Sequence, residues 1–147
     1  MAPPHRQLIL RCPFSPGDLV MLSAAIRDLH RCHPGQFVTD VRTSCPELWE
    51  GNPLITALEE GAPGVETIDC HYPLINRCDL VPKHCLEGFV EFLNERLGVS
   101  IHLSAFRGHI PLTLQEQMWY SQVHELTLED TPFWLLNAGG KYDVTVK

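Results

Sequence analysis

The stretch from Leu8 to Leu29, LILRCPFSPGDLVMLSAAIRDL, constrains this chain more than any other. A short apolar strand, Gln7 to Arg11, runs into a loop carrying Pro13 and Pro16. From Leu19 the apolar residues return at Leu22, Ile26 and Leu29, the three-and-four spacing of one helical stripe. Arg27, Asp28, His30 and Arg31 lie off that stripe, and His33-Pro34-Gly35 ends the helix. A strand that turns through Gly17-Asp18 into a helix sets a carboxylate at the carboxyl edge of the first strand. Open α/β sheets bind and transform ligands at that edge.

The remaining pattern repeats the theme. Gln36 to Arg42 alternates as a second strand, Cys45 to Gly51 reads as a short helix with Pro46 in its first turn, and Val65 to Cys70 reads as a third strand. Residues 71 to 82 look irregular. Leu86, Phe89, Val90, Leu93 and Leu97 mark a second long helix closed by Gly98, and Val99 to Leu103 reads as another strand. Thr113-Leu-Gln-Glu116 is a capping box, with Trp119, Val123 and Leu126 continuing its apolar face. Thr127 to Pro132 resembles a linker, and Phe133 to Asn137 reads as a strand entering Ala138-Gly139-Gly140. Strands alternating with helices across short Gly/Pro turns predict an α/β fold, with a mostly parallel sheet and helices on both faces. The unit opened at Phe133 lacks a partner helix, so the natural chain is expected to continue past Lys147.

Composition removes several classes of function. With 147 residues, 44% of them apolar and 20% charged, the chain can bury a full core. A net charge of −7 without a Lys/Arg cluster argues against nucleic-acid binding, which needs a basic face. No apolar run reaches a membrane span and the N-terminal apolar core is too short for a signal peptide. A cytosolic protein is expected, so the six cysteines, which form no C-x-x-C, are expected as reduced thiols.

Asp18 has two readings from its residue type. It suits a helix N-terminus, where a carboxylate accepts first-turn N–H bonds and meets the positive end of the dipole. It also suits a general base standing where a substrate hydroxyl approaches. Gly139-Gly140 can offer backbone N–H groups to phosphate oxygens, with Lys141 or Lys147 adding charge. No P-loop and no G-x-G-x-x-G follows the first strand. Cys70, His71, Cys78, His84 and Cys85 are zinc-ligand types, but their spacing matches no compact knuckle, and no metal is expected. Tyr72 to Asn76 follows a strand end and could line a cleft. Trp119 and Trp134 read as core.

Taken together, the first strand with PGDLVMLSAAIRDLHRCHPG, and the later FWLLNAGGKYDVTVK, resemble the ADP-heptose:lipopolysaccharide heptosyltransferase family (glycosyltransferase family 9). The resemblance implies a GT-B enzyme, of which residues 1–130 are the Rossmann-like, acceptor-side domain. Residues 131–147 are then the linker end and first strand of a nucleotide-sugar-binding domain. It implies inverting, metal-independent transfer from a nucleotide-diphosphate sugar, of ADP-heptose type, to a lipopolysaccharide-core saccharide at the cytoplasmic face of the inner membrane. On this likeness Asp18 is the catalytic base. Gly17, Gly139, Gly140 and Lys147 attend the substrates, Lys147 as the phosphate-contacting lysine. The 147 residues by themselves are expected to be inactive. A non-catalytic Rossmann-like module that binds a sugar or anion, or docks a partner, is the alternative.

Overall fold

In a computed structural model, residues 5–71 and 80–134 are described. The chain divides into two units, residues 1–112 and 113–147. The first is built on three strands, β1 (Arg6–Cys12), β2 (Phe37–Thr43) and β3 (Val65–Asp69), in the order β2-β1-β3 and parallel throughout. Helix α1 (Pro16–Cys32) joins β1 to β2, and helix α2 (Cys85–Leu97) follows β3. No described helix is long and apolar enough to cross a membrane.

The strand register sorts the side chains. Leu8, Leu10 and Cys12 pair in line with Thr39, Val41 and Thr43. They share one apolar cluster with Leu19, Leu22, Ile26 and Leu29 of α1 and with Phe89 and Leu93 of α2. The stripe read from the sequence is therefore the buried face of α1. Both long helices lie on this side of the sheet.

Among the described residues of the first unit the opposite face is covered by a loop, whereas a helical layer was expected on both faces. Ile9 is buried there outside the main cluster. Asp40, also buried, accepts the Val41 and Leu58 backbone N–H groups (both 2.8 Å) and pairs with Arg42 at 2.9 Å. Arg42 in turn donates to the Leu58 carbonyl at 2.7 Å. One buried carboxylate thus ties the crossing segment to the sheet. The architecture is an α/β unit with a small open parallel sheet, consistent with a Rossmann-like domain.

Two further expectations changed. Cys45–Gly51 forms a 3₁₀ turn over Pro46–Trp49. Val99–Leu103 is not a strand, because Asn94 of α2 takes both backbone groups of Ile101. Its Oδ1 accepts the Ile101 N–H at 2.6 Å and its Nδ2 donates to the Ile101 carbonyl at 3.2 Å. A side chain has consumed the groups that a ladder would need.

The segment that follows is held to α1 by Asp28, which is fully buried. Its two oxygens receive Arg27 (2.7 Å), Arg31 (2.8 Å) and the N–H and hydroxyl of Ser104 (2.9 and 2.7 Å). Arg27 reaches on to the carbonyls of Ala105 and Arg107, and Arg31 to that of His102. Burial pushes the Asp28 carboxyl up, but the bonds from Arg27, Arg31 and Ser104 outweigh it, so it titrates well below the usual carboxylate range. At Gly108 the backbone rests on the same helix: a Cβ there would stand 2.3 Å from Val20 Cγ1 and 2.9 Å from the Val20 carbonyl oxygen.

In the second unit the Thr113 capping box forms as expected, Glu116 donating its N–H to Thr113 Oγ1 at 3.2 Å. The helix it starts, α3 (Leu114–Gln117), lasts one turn, and Ser121 caps a separate short helix, α4 (Gln122–Thr127). No continuous apolar face results. Trp119 is 68% and Trp134 99% exposed, so neither is the core residue its sequence context suggested. They belong to a run of exposed apolar residues that includes Met118, Tyr120, Leu126, Leu128 and Phe133. Most of the expected strand Phe133–Asn137 lies outside the described residues.

Replacing Asp28 by Ala leaves two arginines without their buried partner and should cost about 3 kcal/mol in urea unfolding. Because the folded carboxyl titrates below its unfolded value, its stabilising effect is complete above about pH 4 and is lost as pH falls further. Asp28→Asn should therefore flatten the pH dependence of stability on the acid side, measured by urea melts from neutral pH downward. Gly108→Ala should cost on the order of 1–3 kcal/mol. Adding Val20→Ala should restore only part of this, since the carbonyl contact persists.

Candidate functional site

In the order β2-β1-β3 the chain leaves β1 on one side, through α1 to β2, then crosses the sheet to β3 on the other. The reversal places the crevice for a ligand at the carboxyl edge between β1 and β3. Cys12 and Asp69 end these strands, and Ser15 and Asp18 begin α1 directly after.

Asp18 stands at the third position of α1, with Ser15 as the N-cap. Its Oδ2 accepts the Ser15 N–H at 3.2 Å and the Ser15 hydroxyl at 2.7 Å. Oδ1 carries neither bond. The carboxylate is half-buried and close enough to Cys12 for its charge to oppose ionisation of that thiol. So the residue read from the sequence as an N-cap or a base is the reaching-back member of a capping box, with one oxygen outside that pair of bonds. Gly17 is exposed, and a Cβ there would meet only Ser15 Oγ, at 3.9 Å. Nothing within the fold requires glycine at that position.

Beside these residues, a depression of about 430 Å³ opens at the strand ends, lined by Arg11, Cys12, Pro13, Arg42, Thr43, Ser44 and Asp69. Asp18 is not among its lining residues. Two arginines at its rim invite an anion, yet both are engaged within the protein. Arg11 pairs with Glu60 and, at 3.5 Å, with Asp69; Arg42 is held by Asp40 and the Leu58 carbonyl. Ser44 Oγ donates to the Phe14 carbonyl at 3.1 Å, tying the loop after β2 to the loop after β1. The edge therefore offers a rigid, nearly charge-balanced floor rather than a strong phosphate clamp.

Among the described residues the Cys/His group does not assemble. His84 is the N-cap of α2, its Nδ1 accepting the Leu86 N–H at 3.2 Å while Glu87 accepts the His84 N–H at 2.8 Å. His71 meets Phe92 edge to face, and no group of potential metal ligands occurs among the described residues. Cys12, Cys32, Cys45 and Cys70 are free thiols. Tyr72–Asn76, Cys78, Gly139, Gly140, Lys141 and Lys147 lie outside the described residues. The pairing of Cys12 with Cys70 was not anticipated, although the alignment of two parallel strands contains it.

No family model, curated protein or solved structure matches the chain. What the fold and the edge define is a class, an α/β unit with a small open parallel sheet and a depression at the carboxyl ends of its strands.

Ser15→Ala and Asp18→Ala should each cost about 1 kcal/mol by chemical denaturation. Since they remove the same reciprocal bonds, the double variant should cost clearly less than the two added together.

Proposed function

We propose that the chain is the acceptor-side portion of an inverting, heptosyltransferase-like glycosyltransferase of GT-B architecture, with Asp18 as general base. The observation that carries this is the placement of the Asp18 carboxylate at the head of α1, beside the β1/β3 crevice, with Oδ1 outside its capping bonds. In the proposed reaction Oδ1 takes the proton of an acceptor hydroxyl as its oxygen attacks the anomeric carbon, and the nucleotide diphosphate leaves from the opposite face. Ser15 holds the carboxylate in place through Oδ2. Gly17, which the fold itself does not require, leaves room for an acceptor sugar at the helix start. The engaged arginines fit this division of labour: charge on the leaving diphosphate would be met from the donor side, where the resemblance assigns Gly139, Gly140 and Lys147.

Expressing the complete reading frame and assaying transfer from nucleotide-diphosphate sugars to lipopolysaccharide-core saccharides tests the proposal. Asp18→Asn should lower kcat by about two orders of magnitude or more with donor affinity unchanged. Gly17→Ala should fold normally but raise KM for the acceptor. Undiminished transfer in Asp18→Asn would sink the catalytic role.

A second reading has its own support. The capping box accounts for Asp18 by itself, and the exposed apolar side chains between Met118 and Trp134 suit a module that docks a partner. On that reading Asp18→Asn costs stability and no activity is found to lose.

A further inference from the structure

Two buried thiols stand side by side beneath the crevice. Arg11 and Asp69 are the last paired residues of β1 and β3, and the Cys70 N–H donates to the Arg11 carbonyl at 2.7 Å, so Cys12 and Cys70 are the next residues in register. Both join the apolar cluster on the helix side, together with Leu10 and Ile68. Neighbouring strands run about 4.8 Å apart, inside the roughly 4.4–6.8 Å Cα separation that a disulfide spans. Cys12 is 0% and Cys70 3% exposed.

We propose that Cys12 and Cys70 form a redox-active dithiol that a small hydroperoxide oxidises to an intramolecular disulfide. The two sulfurs have different surroundings, which assigns their roles. The Cys70 thiol directed at Cys12 favours the Cys12 thiolate, against burial and the Asp18 charge; a backbone bond at Phe14 assists. The same contact with Cys12, and burial, push the Cys70 thiol up. Cys12 also lines the depression at the strand ends, where Cys70 does not, so Cys12 is the attacking sulfur and Cys70 the resolving one.

In the first step the Cys12 sulfur attacks one peroxide oxygen. The O–O bond breaks and the departing oxygen leaves as water, carrying the thiol proton. Cys12 becomes a sulfenic acid, oxidised by two electrons as the peroxide is reduced. In the second step the Cys70 sulfur attacks Cys12 Sγ. The S–O bond breaks and hydroxide leaves with the Cys70 proton as a second water. Two thiols and hydrogen peroxide give one disulfide and two waters. Burial sets the size of the oxidant: a slight opening of the strand ends admits a molecule of hydrogen peroxide size, whereas a peptide disulfide needs a far larger one. The inference does not use the catalytic role of Asp18 and stands whether or not the chain transfers sugar.

The reduced 147-residue protein is treated with equimolar hydrogen peroxide and, separately, with oxidised glutathione. Remaining thiols are alkylated and the peptides mapped by mass spectrometry. Peroxide should give a Cys12–Cys70 cross-link, reversible by dithiothreitol, while Cys32 and Cys45 stay alkylatable. Oxidised glutathione should act about tenfold more slowly or worse. Cys70→Ser should stop at a Cys12 sulfenic acid that dimedone captures once the protein is unfolded, and Cys12→Ser should leave Cys70 unreacted. A cross-link through Cys45, oxidation of Cys32 or Cys45 ahead of the pair, or equal rates with glutathione would each overturn the proposal. Mapping of the unaltered protein decides it even where a variant fails to fold.

Discussion

The Asp28 carboxylate is the interaction on which the helix side of the first unit depends. It sits toward the C-terminal end of α1 with no access to water, and its desolvation would be prohibitive without compensation. Two arginines and both polar groups of Ser104 supply that compensation. The same arginines extend to three carbonyls of the segment that carries Ser104. A stretch with no regular backbone pairing of its own is thereby fastened along a helix. Asp40 plays the matching part on the other face, where it secures a loop in place of a helix. Buried carboxylates, together with apolar contacts such as that of Ile101, hold both irregular covers of this small sheet.

What the sequence disclosed was what local periodicity encodes. Leu19, Leu22, Ile26 and Leu29 face the core at the spacing that predicts it, and Gly98 closes α2 in the left-handed conformation with φ +68°. Asp28 was legible only as a residue off the apolar stripe, because its burial comes from a segment more than seventy positions away. Val99–Leu103 has strand composition, yet Asn94 intercepts its backbone. Neither competition leaves a mark on hydrophobic spacing. Trp119 failed for a related reason: a capping box sets where a helix starts and says nothing about how far it runs.

At the candidate site the same division holds. The position of Asp18 at a strand's carboxyl edge follows from the strand-loop-helix pattern, and the structure places it there. Its actual bonds depend on Ser15 being the N-cap, a shift of three positions from the simplest expectation. The engagement of Arg11 could not be anticipated, since Glu60 reaches it only through the crossing loop, whereas Asp40 stands two residues before Arg42 on the same strand. Chemistry that needs a free cation must find it elsewhere in the protein.

The strand order carries a consequence for synthesis on the ribosome. The central strand β1 is made first, and both of its partners come later, β3 last. Parallel pairing allows no hairpin to shelter it in the meantime. Until Asp69 has emerged, the run Leu8-Ile9-Leu10 has α1 and at most one neighbour to cover it, with an open edge toward the missing strand. Slow non-local pairing of this kind exposes nascent chains to aggregation. Arg6 and Arg11, which flank that run and in the finished protein pair with Glu66, Glu60 and Asp69, put a positive charge at each end of it during the wait. The residues that form ion pairs in the folded sheet thus also place charge beside the unfinished one.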